Sequence, residues 1–117
     1  MYAEIIASMG TYLSQRETFH RNEARALAED SRVDEANFQK IRANVFGIFK
    51  AVLDTAVKAK GESREALNFF SAKLRDIPAS WRSALGSAQS SESALVERLK
   101  MQSVSEIERT FRKEMGA

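Results

Sequence analysis

Residues Val33 to Gly61 read VDEANFQKIRANVFGIFKAVLDTAVKAKG, and this stretch decides the fold. Phe38, Ile41, Val45, Ile48, Phe49, Val52, Leu53 and Ala56 fall on one side when the chain turns by about 100° per residue. Val33, Asp34 and Phe38 have the spacing of a hydrophobic staple around an Asp N-cap, where the residue before the cap packs on the fourth helical position. Lys58 and Lys60 suit the negative end of a helix dipole, and Gly61 stands where the chain leaves the helix with positive φ. The segment therefore reads as one long amphipathic helix with both ends marked.

A similar period extends upstream. Tyr2, Ile5, Ile6, Met9, Tyr12, Leu13, Ala24 and Leu27 share a face, which gives a first helix from about Tyr2 to Glu29 and a break at Asp30-Ser31-Arg32. Downstream, Ser63 can cap a third helix with Ala66, Leu67, Phe70, Leu74 and Ile77 inward. Pro78 is expected to end it and to open a short fourth helix holding Trp81 and Leu85. Gly86 to Ser91 reads as a loop. A last helix from about Ser93 to Met115 carries the thinner stripe Leu95, Leu99, Ser103, Ile107, Thr110 and Phe111, which suggests an outer or partner-facing position. Long helices joined by short connections pack antiparallel. The expectation is an all-α antiparallel bundle of four to five helices, the two long N-terminal ones forming a hairpin, as one domain over residues 1–117.

Composition agrees. At 117 residues with 44% hydrophobic content, the chain suffices for one core. One proline and five glycines favour long helices. The absence of cysteine removes disulfides, thiolate metal sites and cysteine nucleophiles, and suits a cytoplasmic location. No signal-peptide pattern is read at the N-terminus, and no apolar run is long enough for a membrane span. The net charge is +2. Its most basic part, residues 31–61, reaches only +3, well short of an electrostatic footprint for nucleic acid.

Two features carry the functional reading. On the second helix, Ala43, Gly47 and Ala51 repeat every four residues on the side opposite the apolar face, with Ala36 in line. Small residues let another helix approach closely, and a mid-helix glycine costs roughly 1 kcal/mol relative to alanine. The strip is expected to be an interface, either with the last helix of the same chain or with a second copy. On the first helix, Arg16, His20 and Glu23 lie where the apolar face should continue, spaced as surface neighbours. An ion pair between Arg16 and Glu23 across helices is one reading of this cluster.

Glu17-Thr18-Phe19-His20 also matches the Glu-x-x-His element of di-iron carboxylate bundles. With one histidine in the chain, such a site would require two copies, and the second helix offers no inward acid. No phosphate-cradling glycine loop or nucleophile turn occurs, so catalysis, a cofactor and a metal are not expected. The sequence points to a non-catalytic helical interaction module, expected to self-associate as a homodimer or small oligomer, with a different protein partner as the other occupant of its helix surfaces. A nucleic-acid-associated accessory protein is the competing class, and a membrane is excluded as a partner.

Overall fold

Serine caps start two of the helices, and a proline fails to end one. The computed structural model describes residues 1–87 and 90–116. Among these the chain forms four helices and no strand: α1 (Tyr2–Glu29), α2 (Val33–Lys60), α3 (Arg64–Gly86) and α4 (Ser91–Glu114). Ser63 Oγ accepts from the Ala66 N–H at 3.2 Å and Ser90 Oγ from the Ser93 N–H at 3.0 Å, each satisfying a first-turn donor. α1 ends in a Schellman motif. The Arg32 N–H closes on the Leu27 carbonyl at 2.8 Å and the Ser31 N–H on Ala28 at 3.1 Å, with Ser31 at φ 60° where glycine is usual. Gly61, at φ 70°, ends α2 as expected.

Three expectations are corrected. Pro78 lies inside α3, so the expected third and fourth helices are one. Its ring is fully buried, and the packing of Leu74 and Trp81 on either side carries the helix past the missing N–H. The expected loop from Gly86 to Ser91 is shorter, because Gly86 closes α3 and Ser91 opens α4; positions 88 and 89 lie outside the described residues. Finally, α2 starts at Val33 with no side-chain cap, and Val33 is 59% exposed, so Asp34 acts as a first-turn acid rather than an N-cap.

Phe46, Phe49 and Phe70 are fully buried together with Met9, Leu13, Leu53, Leu67 and Ile107, which places side chains from all four helices in one core. Phe49 meets Phe70 and Trp81 edge-to-face, with ring centroids 6.2 and 6.4 Å apart. α2 is buried on two sides. Val45, Phe49, Leu53 and Ala56 come from the expected stripe, while Ala36, Ala43 and Phe46 lie off it, and Ile48 of the stripe stands 40% exposed. The second buried side faces α1. There Gly10 sits by Leu53, Glu17 by Gly47 and His20 by Gln39, so positions fall along α2 as they rise along α1. α4 supplies Leu99, Val104, Ile107 and Phe111 to the core, and is less peripheral than its thin stripe suggested.

Candidate functional site

Tyr12, Arg16 and His20 follow each other at four-residue intervals on α1, so they form one row that faces α2 and α4. Arg16 reaches α4. Its Nε donates to Glu106 Oε2 at 3.0 Å and its Nη2 to Glu106 Oε1 at 3.2 Å, a bidentate pair with both side chains 32% exposed. The Tyr12 hydroxyl donates to the same carboxylate. On α4, the Ser103 hydroxyl donates to the Leu99 carbonyl and the Thr110 hydroxyl to the Glu106 carbonyl, so these polar side chains sit at the packed face with their donors engaged.

His20 is 6% exposed, its ring stacked on Phe46 at 5.5 Å and 16°. Its Nδ1 lies 2.6 Å from Gln39 Oε1 and its Nε2 3.3 Å from Arg16 Nη2. A guanidinium can only donate, so Nε2 is the acceptor and Nδ1 carries the hydrogen given to Gln39. The imidazole is thereby held neutral in one tautomer. Burial lowers its pKa; the Gln39 bond opposes this, and the charges of Arg16 and Arg42 lower it further. Burial, then the bond to Glu106, raises the Tyr12 pKa, so the phenol stays a donor.

Arg16, His20 and Glu106, with Arg42, Gln102 and Ser103, surround a cleft of about 240 Å³. Arg16 and His20 therefore meet as the sequence suggested. Glu23 does not join them; it is exposed, and Arg16 pairs with Glu106 instead, 90 residues away. Glu17 is also apart from His20. Its carboxylate lies over Gly47 and pairs with Arg21 at 2.7 Å, and Arg21 in turn reaches Asn44 of α2. Among the described residues, no group of three or more His, Asp or Glu side chains could hold a metal ion.

The small-residue strip has an occupant within the chain. Ala43 is fully buried, Gly47 is covered by Glu17 of α1, and Ala51 is exposed. Tyr12, Gln39, Arg42 and Glu106 went unrecognised in the sequence. For Glu106 a signal existed, because Ser103, Glu106 and Thr110 place three polar residues in succession on the inward face of α4.

A second concavity, of about 600 Å³, lies between the first turns of α2 and α4. Phe38, Ile41, Leu95 and Val96 line it, with Asp34 and Glu92 beside them. Helix length explains it. From the contact between Phe49 and Trp81, α3 continues only to Gly86, whereas α2 runs back to Val33, so the first turns of α2 extend past the end of α3. Leu95 is left 36% exposed. No helix among the described residues is long and apolar enough to cross a membrane. Comparison with family models, curated proteins and solved structures returned no match to the chain.

Proposed function

We propose that this chain is a non-catalytic, cytoplasmic interaction module. Its architecture is an antiparallel up-down bundle with α1 and α2 as the hairpin, and it receives an amphipathic helix of a protein partner between α2 and α4. The apolar groove of Phe38, Ile41, Leu95 and Val96 carries this reading. Each of these side chains is part-exposed, and covering one contributes on the order of 1 kcal/mol. Asp34 and Glu92 give the groove negative charge, so the complementary occupant has lysine or arginine flanking its apolar stripe. The polar cluster between α1, α2 and α4 supports the non-catalytic part. Tyr12, Arg16, His20, Gln39 and Glu106 bond to one another, which suits a lock on helix packing better than a reaction centre.

The test uses a fluorescent helical peptide with leucine at helical spacing and lysine beside it, and a second peptide with glutamate in place of lysine. The lysine peptide should bind saturably and more tightly than the glutamate peptide, and Leu95→Glu should abolish binding. Equal binding to the Leu95→Glu protein would overturn the groove as the docking face. Light scattering on the free protein separates the other occupant. A monomer of 13.1 kDa agrees with a different partner, while a doubled mass that Leu95→Glu halves would assign the groove to a second copy.

A further inference from the structure

We propose that the cleft between α1, α2 and α4 is a subsite for a small oxyanion, a carboxylate or a phosphate, seated against Arg42. Charge singles out this cleft. Two guanidiniums, Arg16 and Arg42, and one carboxylate, Glu106, line the cleft. Glu106 is already held by both donors of Arg16 and by the Tyr12 hydroxyl. Among the described residues, Arg42 has no carboxylate within ion-pair distance, and its charge still reaches His20.

The other walls set the polarity of the ligand. The Ser103 hydroxyl hydrogen is committed to the Leu99 carbonyl, and both nitrogens of His20 are engaged. The charged group left free in the cleft is the Arg42 fork, which only donates, and the Gln102 amide can turn its NH2 to a ligand beside it, so the group best matched to the site accepts hydrogen bonds. A cation would meet Arg42. A planar or tetrahedral oxyanion matches the guanidinium fork. The cleft, at about 240 Å³, admits such a group rather than a polymer. The inference is independent of the α2–α4 groove, because the two concavities share no lining residue.

Protonation is coupled to this site. Arg16 faces His20 from α1, Gln39 and Arg42 from α2, and Glu106 from α4. An anion beside this set offsets the two arginines and favours the imidazolium, whose Nε2–H can then turn from Arg16 to the anion. Binding of acetate, whose own charge is constant over this range, should therefore tighten as the pH falls from 8 to 6.

His20 is the only histidine, so its ring Cε1–H signal in NMR reports on this cleft alone. Inorganic phosphate, acetate and a short glutamate-containing peptide are titrated separately at constant ionic strength, with chloride as the reference salt. The expected result is a saturable shift with phosphate, acetate or the peptide, and a His20 pKa raised by about half a unit or more. Arg42→Gln should abolish it, Arg42→Lys should weaken it by about tenfold, and the exposed Lys58→Gln should leave it intact. Saturation by phosphate alone identifies a free phosphate group, and saturation by acetate and the peptide identifies a carboxylate such as a partner's acidic side chain. A linear, unsaturated shift with all three, or an unchanged response in both Arg42 variants, would overturn the proposal.

Discussion

His20 and Gly47 each turn a local geometry into a measurable stability. The unfolded chain titrates His20 near the ordinary value of about 6.5, while the folded protein holds it lower, mainly through burial. Below that ordinary value the unfolded chain takes up the proton more readily, so stability is complete above it and declines as the pH falls toward the folded value. Thermal unfolding should show a Tm that drops between pH 7.5 and pH 5, and His20→Gln should flatten that profile. An identical slope in the variant would remove His20 as its cause. At Gly47 an added Cβ would stand 2.8 Å from Glu17 Oε2, the mobile end of a side chain held by a surface ion pair. Displacing that pair costs a few tenths of a kcal/mol, less than the roughly 1 kcal/mol gained by alanine in a helix. Gly47→Ala should thus be neutral to slightly stabilising in urea titration. Gly47→Leu should lose about 1–3 kcal/mol by pushing α1 outward. Tolerance of leucine would mean that α1 does not depend on its close approach at this glycine.

Between elements, the weight falls on how α1 is tied to α4. The two helices share the Arg16–Glu106 pair, and Tyr12 adds a third donor to the same carboxylate. A double-mutant cycle with Arg16→Ala and Glu106→Ala should give a coupling of about 1 kcal/mol that shrinks with salt, as befits a pair one-third exposed. A coupling indistinguishable from zero would leave hydrophobic packing alone to hold α1 against α4. The sequence made α1 itself legible, because one apolar face and a turn at Asp30 to Arg32 are local signals. The polar positions of α4 mark Glu106 as inward, but its pairing with Arg16 was hidden, since no spacing rule connects positions 90 residues apart. Pro78 misled for the opposite reason. The local rule that proline ends a helix is sound, but here the proline ring is itself part of the core and the flanking packing prevails. On α2 the strip of Ala36, Ala43, Gly47 and Ala51 stands out beside the apolar stripe, but a helix buried on two sides dilutes its own periodicity, so Phe46 falls on neither and α1 is not legible as the occupant.

At the scale of the molecule, α2 determines whether the chain unfolds as one unit. Its 28 residues span about 42 Å, close to the longest dimension of 45 Å. Phe46 meets Tyr12 and His20 of α1, and Phe49 meets Phe70 and Trp81 of α3, so the two ends of the core are joined through adjacent turns of one helix. Phe111 of α4 packs on Phe70 from the far side. Neither end can open without exposing aromatic surface that the other also uses, which is the physical basis for a single cooperative transition. Trp81 is the only tryptophan and reports on the junction of α2 and α3, while His20 reports on that of α1, α2 and α4. Urea titrations followed by Trp81 fluorescence, by the His20 NMR signal and by far-ultraviolet circular dichroism should therefore share one midpoint and one slope, of about 1–3 kcal/mol per molar. An earlier midpoint for Trp81 alone would mean that α3 separates from α2 while α1, α2 and α4 stay together. The Phe46–Phe49 bridge would then be too weak to make the chain one domain.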